Sequence, residues 1–173
     1  MEKHGYPFVF DKIDTRGADE LMVHTLQYRF TSAKSGHSYI VRLERYVRHA
    51  YCLKFYDEEN AGSCDKYSMR TNTFEPRIIF YTLIDIMFDV LKRDPEASFF
   101  FIGAEDEHDV PGKTTRRYSV YKRFAATYAG SNQFQHLRND YLSLYILVNQ
   151  EHVSDVKTYA ETIEHYISDI LFG

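Results

Sequence analysis

"LQYRFTSAKSGHSYIVRLERYV", residues 26–47, decides the fold. Leu26, Tyr28 and Phe30 alternate with Gln27, Arg29 and Thr31, and Tyr39, Val41 and Leu43 alternate with Ile40, Arg42 and Glu44. Successive side chains on a strand point to opposite faces, so a period of two predicts two strands with an apolar side each. The intervening "SAKSGHS" carries the glycine that a tight reversal uses, so residues 21–31 and 38–46 are expected to pair as an antiparallel hairpin. "YCLKFY", residues 51–56, follows as a further strand.

Downstream the period changes. In "TNTFEPRIIFYTLIDIMFDVLKRDP", residues 71–95, Pro76 suits a first helical turn, and Ile79, Leu83, Ile86, Met87 and Val90 recur at helical spacing. Asp94 and Pro95 stop the helix. "SFFFIG", residues 98–103, is a short continuous apolar run that reads as a buried strand. A second helix is expected over residues 114–129, then a hairpin turning near Asn139 and Asp140. A last helix opens at Ser154, with Val156, Tyr159, Ala160, Ile163, Tyr166, Ile167 and Ile170 on one stripe. With no internal repeat and no Pro/Gly-rich linker, the expectation is one α+β domain over residues 1–173. Its mostly antiparallel sheet is expected to have about six to eight strands, with three helices packed mainly on one face.

The composition narrows the function classes. A hydrophobic fraction of 44% with 27% charged residues excludes collagen-like, disordered and membrane-spanning chains. A net charge of -4 gives no global attraction to nucleic acid or an anionic membrane, so any polyanion needs a local basic patch. Cys52 and Cys64 show no framework spacing and read as free thiols of a reducing compartment. The start "MEKHGYPFVF" has no apolar run of signal-peptide length, so a cytoplasmic location is expected.

"VPGKTTRRYSVYKRF", residues 110–124, contains the letters of a phosphate loop. A Walker loop needs a glycine five positions before that of Gly-Lys-Thr, where this chain has Glu107 inside the acidic run "EDEHD". The stretch is therefore not a Walker loop. Thr114 or Thr115 can instead cap a helix whose free amides attract an anion, with Lys113, Arg116 and Arg117 adding positive charge. Lys113, Thr114, Thr115, Arg116 and Arg117 are the anion-binding candidate.

Arg42, Arg45, Arg48 and Lys54, interleaved with Tyr46, Tyr51 and Tyr56, make the alternative: a basic, aromatic sheet face able to stack bases and contact phosphates. Arg42 precedes His49 by seven positions, matching the Arg-x(4–6)-His pattern of a helical ribonuclease family. Here both fall in strand-like sequence, which sends them to opposite faces. The acidic runs Asp57–Glu59 and Glu105–Asp109 lack calcium-loop spacing, and no second Cys/His pair accompanies His49 and Cys52, so neither a metal nor a cofactor is expected.

The order of the strand meander "YRFTSAKSGHSYIV", the helix "EPRIIFYTLIDIMFDVLKRDP", "SFFFIG" and "GKTTRRYSVYKRF" resembles a family of short bacterial proteins known as a domain of unknown function. The likeness covers most of residues 26–150. It implies the α+β fold and a bacterial or phage origin, implies no activity, and sets Arg117 against the family's helical arginine. The expected function is a non-catalytic intracellular binding module, such as an accessory protein of a bacterial toxin, defence or phage system. Its partner would be a protein, a second copy or a small anion. The first alternative is an enzyme acting on a phosphodiester or nucleotide, with His49 or His108 as acid/base and Arg117 on the phosphate. The second is an RNA-binding sheet. No residue is assigned a catalytic role by pattern alone.

Overall fold

The computed structural model describes residues 5–63, 66–67, 75–103, 116–128 and 132–172. The chain is α+β, with seven strands and three α-helices among the described residues. It forms two compact units, Met1–Pro95 and Glu96–Gly173. Pairing is antiparallel inside each unit. Seven strands fall within the expected six to eight, and the expected antiparallel pairing holds within each unit, not for one sheet as a whole. Hairpins reverse the chain, whereas the stretch between the fourth and fifth strands carries an 18-residue helix, a kind of connection that imposes no reversal.

The first unit is a meander of β1 (Phe8–Asp14), β2 (Met22–Thr31), β3 (Ser38–Tyr46) and β4 (Ala50–Asp57), followed by α1 (Pro76–Arg93). Register follows the hydrophobic alternation. Tyr28 pairs with Val41, Leu26 with Leu43 and Phe30 with Tyr39, and all six side chains are buried. A one-residue slip would turn this whole row to the other face, so burial fixes the pairing. α1 covers that row. Its buried residues include Ile79, Leu83, Ile86, Met87 and Val90, and the Tyr28 hydroxyl donates to Asp89 at 2.6 Å. Pro76 stands at the helix start and the Asp94 amide closes the last turn on the Val90 carbonyl at 2.8 Å, as the sequence predicts. At Gly5 the incoming chain touches the helix backbone, since a Cβ there would lie 2.2 Å from the Thr82 nitrogen.

The opposite face of this meander is polar. Arg42 donates to Gln27 at 2.5 Å and to Asp14 at 3.0 Å, Gln27 donates to Asp11 at 2.6 Å, and Lys54 pairs with Glu44 at 2.9 Å.

The second unit holds β5 (Ser98–Ile102), α2 (Arg116–Tyr128), β6 (Phe134–Asn139), β7 (Leu144–Asn149) and α3 (Val156–Phe172). β7 pairs with both β5 and β6, and all six of its residues are buried. Tyr118 of α2 is fully buried and donates to Asp140 at 2.7 Å, while Gly103 lies so close that a Cβ would sit 2.3 Å from the Tyr118 Cβ. α3 begins two residues later than the expected Ser154. Asp155 is the cap, because its Oδ1 accepts the Thr158 amide at 3.1 Å and satisfies a donor of the first turn.

Candidate functional site

The connection between β3 and β4 is a three-residue turn, Val47–His49, in which Arg48 has φ 62° and His49 φ 58°. Left-handed backbone disfavours residues with a Cβ by roughly 1–2 kcal/mol each, so two in succession need support from their surroundings. Here the support is visible. The turn carries the His49 ring to Asp94, whose Oδ2 lies 2.7 Å from Nδ1, and the Tyr51 hydroxyl donates to the same oxygen at 2.9 Å. Asp94 stands at the C-terminal cap of α1, where the helix dipole disfavours a carboxylate, and these two donors offset that penalty.

Next to this pair the sheet register aligns three more groups. His24 of β2 is the partner of Arg45 on β3, and Arg45 is the partner of Tyr51 on β4. Neighbouring Cβ atoms in such a row are about 5 Å apart, so the three side chains form one continuous strip. Burial, then the charge of Arg45, holds the His24 ring below the ordinary histidine range. Burial, reinforced by Asp94, pushes the Tyr51 hydroxyl well above the usual tyrosine range, so it stays a donor.

Arg45 is the unusual member. Its Nη2 lies 3.3 Å from His49 Nδ1, but that nitrogen carries its proton toward Asp94 and so offers Arg45 no lone pair. Arg45 Nε is buried without a hydrogen-bond partner, and no carboxylate of the described residues is in ion-pair contact with this guanidinium. Two histidines and a tyrosine thus stand beside a guanidinium that has no direct carboxylate contact among the described residues, the Asp94 carboxylate being hydrogen-bonded to His49 and Tyr51 instead.

The sequence-derived candidates separate in space. Arg42, Lys54 and Tyr56 share the polar face, while Arg45 stands on the side covered by α1 and Arg48 lies exposed in the turn. The charges of Arg42 and Lys54 are matched by Asp14 and Glu44, so the five residues do not form one basic surface. Tyr56 packs edge-on against Tyr67 with centroids 5.3 Å apart, and Lys66 lies 4.4 Å above its ring. Arg42 and His49 are not brought together; Arg45, four residues before His49, takes that place. Lys113, Thr114, Thr115 and His108 lie outside the described residues. Arg116 and Arg117 open α2. The sequence alone does not single out His24, and it marks Tyr51 only as part of the basic, aromatic face and Asp94 only as a helix stop, because the strand register and the end of α1 are what bring them to Arg45. Cys52 is a buried free thiol, and burial pushes it up to about 12, which keeps it unreactive.

A shallow cleft of about 420 Å³ lies between the N-terminal segment and α1, lined by Tyr6, Pro7, Phe8, Asp85, Phe88 and Lys92. Asp85 there already accepts the Gly5 amide at 3.1 Å, and no histidine or arginine lines it. Among the described residues no helix is long and apolar enough to cross a membrane. No protein-family model, no curated protein and no solved structure matches the chain.

Proposed function

We propose that the first unit is a binding module for a small anion carrying a phosphate group, with Arg45 as the charged contact and His24 and His49 beside it. One observation carries the reading: the partly buried Arg45 guanidinium has no carboxylate partner and an Nε with no acceptor. Withdrawing a cation from water without a counter-charge costs several kcal/mol, and a bound anion removes that penalty. The planar guanidinium fork suits phosphate oxygens, and the neutral His24 ring adds a donor. The Asp94 charge does not repel such a ligand strongly, since its Oδ2 is engaged by His49 and Tyr51. The module acts in the cytoplasm, and the resemblance to short bacterial proteins supports a bacterial origin. The group Lys113, Thr114, Thr115, Arg116 and Arg117 is kept as a separate candidate for the same ligand class, at the start of α2.

The test is a calorimetric titration with phenyl phosphate. Arg45→Met should weaken binding at least tenfold, while Arg42→Met, on the opposite face and paired with Asp14, should leave it unchanged. Equal weakening by both changes would refute the reading.

The contact between His49 and Asp94 favours a second, catalytic reading. A carboxylate within hydrogen-bond distance of Nδ1 orients a histidine ring in the way a general base requires. Turnover of bis(p-nitrophenyl) phosphate that disappears in His49→Gln would establish this reading over simple binding.

A further inference from the structure

At the far end of β3 from Arg45, we propose that His37, Asp57 and Glu59 form a site for a divalent transition-metal ion of the zinc class. The fold assembles it from two hairpins. His37 immediately precedes β3, and the pairing of Tyr39 with Asp57 sets the end of β4 alongside. Asp57 then caps the short 3-10 turn Glu58–Asn60 by accepting the Glu59 amide at 3.0 Å, which draws Glu59 to the same corner. His37 Nδ1 lies 2.5 Å from Asp57 Oδ2 and 3.8 Å from Glu59 Oε2, and one ligand atom of each residue lies within 4.8 Å of the other two.

Zinc bonds of about 2.1 Å in a tetrahedron place donor atoms about 3.4 Å apart. The His37–Asp57 contact would open by roughly 1 Å and Glu59 would close by roughly half that, movements that side-chain rotation supplies without shifting a strand. The imidazole nitrogen favours zinc over magnesium and calcium, which prefer oxygen alone.

A second observation points the same way. Glu75, only 6% exposed, accepts from the Ser32 hydroxyl at 2.8 Å through Oε2, while its Oε1 is buried with no partner. Ser32 belongs to this corner, because its amide donates to the His37 carbonyl at 2.8 Å. Among the described residues His37 is in ion-pair contact with both the buried Asp57 and the exposed Glu59, while the buried Glu75 is tied to the same corner through Ser32. Buried anions are paired or bind metal, and among the described residues two carboxylates here meet a single imidazole.

The test is calorimetry with zinc chloride alone on chelator-treated full-length protein. One equivalent should bind, and more tightly at about pH 7 than at about pH 5, because a doubly protonated imidazole must lose a proton before Nδ1 can act as a ligand. His37→Gln should weaken binding by roughly a hundredfold and Glu59→Gln by roughly tenfold, with magnesium binding far more weakly than zinc. Glu59 is 73% exposed, so its variant keeps the test valid should His37→Gln unfold. Zinc binding that is unaltered in Glu59→Gln, equal affinity for the two metals, or no binding to the wild-type chain would overturn the site.

Discussion

His24 and Arg45 face each other across β2 and β3, and His24 is kept neutral by burial and by the arginine's charge. Proton NMR should therefore show the His24 titration moving upward in Arg45→Met. An unmoved titration would mean that burial alone sets it.

His24 and His37 predict opposite pH effects. The lowered His24 costs stability as pH falls through the unfolded histidine value near 6.5, because the unfolded chain takes up a proton that the native site refuses. The raised His37 contributes stability that is complete below that value and is lost as pH rises through its native value. Urea midpoints between pH 5 and 8 should show His24→Gln gaining on the wild type at the acid end and His37→Gln losing most there. The reverse ordering would contradict both assignments.

Asp14 governs the acid limit of the first unit. The Arg16 side chain, then the Arg16 amide and Arg42, hold its carboxyl well below the ordinary carboxylate range. This contribution is present above the unfolded value near 3.9 and fades as pH drops toward the native value. Asp14→Asn should flatten the fall of the urea midpoint between pH 5 and 2. Arg16 is 78% exposed and Arg42 only 16%, so Arg42→Met should destabilise more than Arg16→Met despite the order of their effects on Asp14.

Gly5 and Gly103 each meet backbone where a Cβ would stand, at the Thr82 and Tyr118 nitrogens, 2.2 and 2.4 Å away. Helix backbone cannot yield as a side-chain tip can. Gly5→Ala and Gly103→Ala should each lower stability by about 1–3 kcal/mol in urea denaturation, while Gly62→Ala, with open space around it, should change little.

The strands and helices were largely legible in the sequence, because period-two and period-3.6 patterns report burial directly. Residues 26–31 and 39–44 pair as their alternation requires, and α1 starts at Pro76 and ends before Asp94. The cap of α3 was misread by one residue, since Ser154 and Asp155 are both good caps and only geometry distinguishes them. The site was much less legible. Arg42 and Arg45 look equivalent in a basic run, yet a spacing of three puts them on opposite faces, and the left-handed turn at Arg48 and His49 selects Arg45. His37 and Asp57 are twenty residues apart, and no local motif marks a pair made by strand register.

The central claim concerns Arg45 as a cation waiting for an anion, and its most direct test is the urea stability of Arg45→Met with and without phosphate. An unpaired, partly buried charge replaced by an apolar side chain of similar volume should leave the ligand-free protein as stable or up to about 2 kcal/mol more so, and should abolish stabilisation by phosphate. A variant that is markedly less stable without phosphate, yet gains as much from phosphate as the wild type, would make Arg45 a structural residue and contradict the account.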